Sequence, residues 1–436
     1  MNRPATTVSP SALAALQDLL GPGGWLEAAS DRAPFETDFR GLHRGSTPLV
    51  ALPDTTERVA ALVHLCAQER ISIVPQGGNT SYCGGATPRP GGCEILVSLK
   101  RLRRIRAVDP AGDSLTAEAG CVLADLQSAA AAAGRLLPMS LGSEGSATLG
   151  GIISTNAGGT AVLRYGMMRA LVLGLEAVLP DGRVLNQLSG LRKDNTGYDL
   201  KQLFIGAEGT LGIVTAATLR LFPRPAVTAT AFAALPSPAA ALALLARLRE
   251  CLGESVTTFE LMPRIALEFV CRHVAGARDP FASPYPWYVL AEVTSSADDP
   301  RFGDRFETAL ADAIERQQVA DAVTAKSGTQ RDALWRLREA IPEAQGHEGA
   351  SLKHDISVEP SRLPDFVEAG RELIERLAPG ARLVAYGHLG DGNLHYNLSE
   401  PAGGDGGALA SRTAEIRRAV HDLVAAYGGS FSAEHG

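Results

Sequence analysis

The spacing of apolar and polar positions marks out elements along the whole chain. Ser9 to Leu20 carries apolar residues at helical spacing and ends at Gly21, which predicts an N-terminal amphipathic helix. From Thr47, TPLVALPDTTERVAALVHLCAQERISIVPQGG predicts a short strand, a helix with Asp54 and Thr55 as cap candidates, and a second strand, Ile71 to Val74, that runs into glycines. That order is a β-α-β unit. Strand patterns follow in ILVSL, RIRAVD and SLTAEAG, and the alanine-rich stretch from Leu123 to Ala133, closed by Gly134, reads as a packed helix rather than low complexity. In LVLGLEAVLPDGRVL, Asp181 and Gly182 signal a hairpin.

After Pro223 and Pro225 the pattern changes, and a domain boundary is expected there. The second half alternates helices, at Ser237 to Glu250, Asp304 to Gln317 and Arg362 to Leu377, with strands at Trp287 to Val293, Leu383 to Tyr386 and Leu394 to Leu398. No repeat of fixed period occurs. Three stretches are expected: an N-terminal helical segment over 1–43, a first domain over 44–225 and a second over 226–436.

At 436 residues the chain exceeds one ordinary core, and its 45% hydrophobic and 20% charged residues, with 46 glycines and 26 prolines, fit a globular protein rich in tight turns. Its net charge of −7 gives no pull toward nucleic acid, and the single basic run, KRLRRIR from Lys100, alternates like a solvated strand edge. None of the six cysteines forms a C-x-x-C pair, which excludes a Cys-rich metal cluster and suggests a reduced compartment. No apolar stretch has the length of a membrane span, and the N-terminus lacks the pattern of a secretory leader. One Arg among several Ser and Thr falls short of a transit peptide, so a cytoplasmic protein is expected.

Candidate chemistry begins at VPQGGNTSYCGGATP, Val74 to Pro88, where a strand running into Gly77, Gly78 and Asn79 exposes backbone N–H groups suited to a phosphate. It has neither the Walker nor the G-x-G-x-x-G spacing, and alone it is no more than a turn. A second glycine field, Gly142 to Gly166, places Thr148, Ser154, Thr155 and Asn156 among glycines, and a third, GAEGTLGIV from Gly206, contains Glu208, either a turn former or a brace for a cofactor pocket. One dinucleotide needs several such places. In YGHLGDGNLHYNL, His388 and His395 lie seven residues apart around Gly390, Asp391 and Gly392. A strand, a G-D-G turn and a second strand would bring them to one locality, where two neutral imidazoles bind a divalent cation. A lone histidine would read as structural; two around one turn favour a metal.

The order PQGGNT, PMSLGSEGSATLGGIISTNAGG with RYG, and GAEGTLGIVT resembles the flavin domain of the vanillyl-alcohol oxidase and p-cresol methylhydroxylase superfamily, and GHLGDGNLH with SAEHG is similar to its D-2-hydroxyacid dehydrogenase branch. The resemblance runs from about Thr47 to the last residue. It implies an α+β chain, a two-subdomain FAD-binding fold followed by an α+β substrate or cap domain. It also implies FAD held by Pro75, Gln76, Gly77, Gly78, Asn79, Thr80 and Gly84; by Pro138, Gly142, Ser143, Thr148, Gly150, Gly151, Ser154, Asn156, Gly158 and Gly159; and by Glu208, Gly209, Ile213 and Val214. Asn79 stands where covalent members often have a His, which implies noncovalent FAD.

Glu434 of SAEHG offers the carboxylate that completes a two-His, one-carboxylate site with His388 and His395, for zinc or manganese, and the adjacent His435 is the expected general base and substrate contact. Arg338 and Lys353, each only a surface charge if read alone, match residues that grip a substrate carboxylate, with Asn397 a further ligand. Pro342 departs from a position that often carries a hydroxyl, so a monocarboxylic substrate stays open. The expected reaction is oxidation of a D-2-hydroxy acid, D-2-hydroxyglutarate first, to the 2-keto acid by hydride transfer to flavin N5. D-lactate or glycolate oxidation on the same fold, and a flavin-independent metallohydrolase, are the alternatives. The electron acceptor, an electron-transfer flavoprotein or a quinone, is unassigned, and apolar residues of the second half suggest a homodimer. Family members continue past SAEHG, so the end at Gly436 is expected to be incomplete.

Overall fold

The computed structural model describes residues 7–404 and 407–435. The first six residues and Gly436, which fall in the expected terminal stretches, lie outside the described residues. The chain forms two compact units. One contains residues through Gly159, Tyr165–Arg224 and the chain from Glu434; the other contains Thr160–Arg164 and Pro225–Ala433.

In the first unit the opening helix is Pro10–Leu20, with Ser9 Oγ accepting from Ala12 N–H and Gly21 at its end. Its Leu16 and Leu20 are buried in the same cluster as Val59, Leu62 and Ile95, so this segment belongs to the unit's core instead of standing apart. Thr55, not Asp54, caps the next helix, Thr56–Gln68; Asp54 instead binds Arg58 and Arg101. Strands Val50–Ala51 and Ser72–Gln76 flank Glu94–Ser98 in parallel. Gln76 therefore ends a parallel strand, the edge of an α/β layer where ligands bind.

A second, antiparallel sheet runs in the order Ile105–Asp109, Ser114–Glu118, Ile213–Arg220, Val172–Val178, Val184–Gln187. The hairpin expected at Asp181 and Gly182 joins its last two strands. The basic run is the edge of this sheet, where Arg104 reaches the buried Glu118 at 2.8 Å and Arg106 reaches Glu176 at 3.1 Å.

The second unit is built on a sheet in the order Asp321–Thr324, Val227–Leu235, Trp287–Ser295, Val256–Pro263, Arg382–His388, Asn393–Ser399, Ser351–Leu352, with Asp355–Ser357 also paired to Asn393–Ser399. Helices Pro238–Leu252 and Phe302–Glu315 pack into the cluster on one face, around Phe259 and Leu261. Helices Arg264–His273 and Gly328–Glu339 close the other, around Met262, Val384 and Tyr386. Among the described residues no helix is long and apolar enough to cross a membrane.

Candidate active site

Strand register brings the second unit's chemistry together. Tyr386 and His388 stand two apart on Arg382–His388 and so share a face. Across one neighbouring strand His388 pairs with Glu260; across the other, Tyr386 pairs with His395, which pairs in turn with Asp355. Glu260, His388, Tyr386, His395 and Asp355 thus form one lane over four strands. The turn joining the histidine strands is Leu389 to Gly392, and a Cβ on Gly392 would lie 1.9 Å from Val358 O. The hairpin expected from the sequence is present, and it sets the two imidazole rings 5.9 Å apart at 71°.

Each histidine has a carboxylate beside Nδ1. Glu260 Oε1 lies 2.5 Å from His388 Nδ1, and Asp355 Oδ1 lies 3.7 Å from His395 Nδ1. Asp355 also accepts from Asn393 Nδ2 at 2.9 Å. The hydrogen-bonded carboxylate on His388 Nδ1 fixes that ring and leaves Nε2 as the ligating nitrogen, the usual support for a metal-bound imidazole, while Asp355 Oδ1 stands near His395 Nδ1 beyond hydrogen-bond distance. The residues therefore fit a divalent cation of the nitrogen- and oxygen-preferring kind, zinc or manganese.

Arg338, from helix Gly328–Glu339, is 8% exposed; its Nε donates to Glu260 Oε2 at 2.6 Å and its guanidinium lies over the Tyr386 ring at 4.8 Å. Burial acts to raise the Glu260 carboxyl, but the His388 imidazole and the Arg338 guanidinium outweigh it and hold the group down at about 2. In the turn, burial pushes the Asp391 carboxyl up. Lys353 is exposed two residues before Asp355. Asn397, 3% exposed, ties the sheet to the helix Ile341–Gly346. It donates through Nδ2 to Gln345 at 3.0 Å and accepts from His354 N–H at 3.3 Å, which positions the strand carrying Asp355.

Three of these groups escaped the sequence reading. Glu260 is the lone charge in VTTFELMP, a strand buried at all eight positions, where no alternation announces the element. Asp355 and Tyr386 become visible only through pairing.

In the first unit the three glycine fields converge. A Cβ on Gly77 would stand 2.6 Å from Thr148 Oγ1, and one on Gly78 would stand 2.1 Å from Ser146 O, so only glycine lets these backbones meet. The third field joins them, since Glu208 N–H donates to Ser154 O at 2.9 Å and Gly206 N–H to Ile153 O at 3.0 Å. Asn79, Asn156 and Glu208, one in each field, all adopt left-handed backbone conformations near φ 50°. Gln76 is buried and pins the loop through Phe35 O and Ala86 O; Asn79 donates to Thr37 O at 2.8 Å, and Asn156 accepts from Arg169 N–H at 2.9 Å. Thr80 and Gly84 continue the first turn, and Ser143 O accepts two N–H groups of the second. Pro138, Gly150, Gly158 and Gly159 are buried, Gly142 is exposed, and Gly151 meets Gly77. A Cβ on Gly209 would strike Pro75, and Ile213 and Val214 open the buried strand that follows.

Two buried hydroxyls here lack a partner among the described residues, Thr87 Oγ1 in the first field and Thr148 Oγ1. Thr148 Oγ1 lies at the junction of the first two fields. A cradle of close-packed backbone with an orphaned hydroxyl fits a dinucleotide that brings its own polar groups. His435 also belongs to this unit. Its ring meets Tyr82 edge-on at 4.9 Å, its carbonyl accepts from Cys83 Sγ at 3.5 Å, and Glu434 Oε1 lies 3.9 Å from its Nε2.

Comparison with known proteins agrees with both units. A family model described as an FAD binding domain matches residues 47–187, and one described as the C-terminal domain of FAD linked oxidases matches 224–436. A probable mitochondrial D-2-hydroxyglutarate dehydrogenase from Oryza sativa subsp. indica is 39% identical, over 96% of this chain and 73% of its own length. The chain belongs to the D-2-hydroxyglutarate dehydrogenase family of FAD-linked oxidoreductases. The mitochondrial D-2-hydroxyglutarate dehydrogenase of Bos taurus is 38% identical over 99% of this chain and 77% of its own. A p-cresol methylhydroxylase structure shares the fold, with a TM-score of 0.76 over 98% of this chain and 89% of that one at 16% identity.

Membership of this family makes the protein an FAD-dependent oxidoreductase that acts on a 2-hydroxy acid, and it sets aside the flavin-independent hydrolase. It also corrects one expectation. The plant and bovine relatives are mitochondrial, so the cytoplasmic placement does not stand. Compartment is decided by sorting signals, and the residues that build a catalytic core carry no record of it.

Proposed function

We propose that this D-2-hydroxyglutarate dehydrogenase family member oxidises D-2-hydroxyglutarate to its 2-keto acid with the help of a divalent cation. The observation that carries the cation is the pair of neighbouring imidazoles, each with a carboxylate at Nδ1. His388 and His395 would hold it through Nε2, with Glu434 as the third ligand. Bound there, the cation would supply Lewis acidity that lowers the pKa of the substrate hydroxyl, and FAD, when bound, would supply the hydride acceptor.

The rest falls to side chains of this chain. His435 takes the hydroxyl proton, a role suited to an imidazole near neutral pH. Arg338 and Lys353 hold the distal carboxylate, so that a substrate with two carboxylates is fixed at both ends. Glu260 keeps the His388 ring in place and neutralises Arg338, while Asn397 acts as a positioning residue through His354 and Gln345. The grip on a second carboxylate favours D-2-hydroxyglutarate over D-lactate, which would leave Lys353 and Arg338 without their ligand.

An anaerobic visible spectrum of the FAD-loaded enzyme tests this reading. D-2-hydroxyglutarate is expected to bleach the oxidised flavin band, the L-enantiomer and D-lactate are not, and prior chelation is expected to abolish the bleaching. Bleaching by D-lactate alone would overturn the substrate, and bleaching that survives removal of all metal would overturn the cation.

A further inference from the structure

Arg220 ends the strand whose first residues, Ile213 and Val214, adjoin the glycine fields, so it lies about 23 Å from them at the rise of an extended strand. There the first unit forms a solvent-open pocket of about 250 Å³. Four separate segments build it: the start of Val172–Val178, the loop at Leu191 and Arg192, the helix Lys201–Phe204, and Arg220. Its wall carries Arg192, Lys201, Gln202 and Arg220 over the apolar Val172 and Leu173, and no carboxylate lines it among the described residues.

The cations are unequally compensated. Arg192 donates to Asp113 at 3.1 Å, but that aspartate also serves Arg135 at 2.7 Å. Lys201 meets Asp199 at 2.5 Å. Arg220 has no ion pair among the described residues: its guanidinium lies over the Phe222 ring at 4.5 Å, and its Nε is buried with no hydrogen-bond partner. A buried, unsatisfied donor on a permanently charged group is a costly feature unless something fills it.

We infer that this cavity is an anion site, which takes the carboxylate or phosphate group of a small molecule onto Arg220, Lys201 and Arg192. A planar guanidinium matches either group through paired N–H donors, and the ammonium adds a point charge. The apolar side receives a short aliphatic body. None of these residues belongs to the flavin cradle or to the histidine lane, so occupancy does not depend on turnover.

Equilibrium dialysis of the FAD-loaded enzyme at fixed ionic strength, with labelled inorganic phosphate in one arm and labelled succinate in the other, tests it. One saturable equivalent of either probe per chain is expected that is weakened by about tenfold or more in R220Q and K201M while the flavin spectrum is retained, as loss of a charge-assisted hydrogen bond implies, whereas any succinate held at Arg338 and Lys353 is unchanged in these variants. R220K keeps the charge but lacks the planar fork and Nε, and is expected to weaken binding as well. Phosphate bound alone assigns the site to phosphate esters, and succinate bound alone assigns it to carboxylic acids. Absence of saturable binding by both probes, or binding of wild-type strength in R220Q and K201M, overturns the proposal.

Discussion

At the scale of single residues, the informative atoms are those whose partners are missing or doubled. Thr148 Oγ1 is buried without a partner inside the glycine cradle. Replacing Thr148 with Val keeps the shape and removes the hydroxyl, so the apoprotein is expected to be as stable as the parent or slightly more so. The same change is expected to weaken FAD by about five- to tenfold, the worth of one hydrogen bond of about 1 kcal/mol. Flavin titration beside urea unfolding of the apoprotein separates the two effects. Glu260 is doubly used, by His388 and Arg338, and Glu260→Gln is expected to lower metal affinity about 10- to 100-fold. It also removes the carboxylate charge that the buried Arg338 Nε faces, so metal content and unfolding free energy should fall together. Wild-type values of both would remove Glu260 from the support of the site. His388 and His395 were legible because they bracket a turn in one short stretch; Glu260 was not, because its partners lie 78 and 128 residues away.

Elements explain where sequence reading succeeded. Helices with a hydroxyl cap, such as Pro10–Leu20 after Ser9 and Pro238–Leu252 after Ser237, carried local signals, and so did the Asp181 hairpin and the histidine hairpin. The strand Val256–Pro263 carried none that stood out; it is buried on both faces, where periodicity is silent. The first glycine turn stood out in the sequence, but not why both Gly77 and Gly78 are required. The structure supplies the reason in Ser146 and Thr148. Gly78→Ala would press a methyl against Ser146 O, a backbone atom that cannot turn aside, and the protein is expected to fold with its FAD content strongly reduced. Purification with a normal flavin ratio would contradict the close approach.

For the whole molecule, stability should respond to pH and to cofactor. Glu348 joins Arg382, at the start of the histidine hairpin, to Arg272 and His273 at the end of a helix. Burial acts to raise its carboxyl, but hydrogen bonds from Arg382, His273 and Arg272 outweigh it and hold the group at about 2, against 4.5 ordinarily. A depressed carboxyl stabilises the folded state above pH 4.5, and that contribution is lost as pH falls from 4.5 toward 2. Glu348→Gln is expected to flatten this acid limb in thermal unfolding measured across that range. FAD, bound only by the folded chain, is expected to raise Tm in proportion to the logarithm of its excess. At this scale the mixed helix and strand content was readable from the pattern of the chain. The membership of Thr160–Arg164 in the second unit was not, since five residues carry no composition of their own.

The strand Val256–Pro263 has neighbours on both sides and no exposed residue. Its amide protons have no route to solvent through fraying, so deuterium should enter them only when the entire unit opens. Glu260 rides on this buried backbone, so the orientation of His388 is expected to persist under heat or denaturant until the unit itself opens.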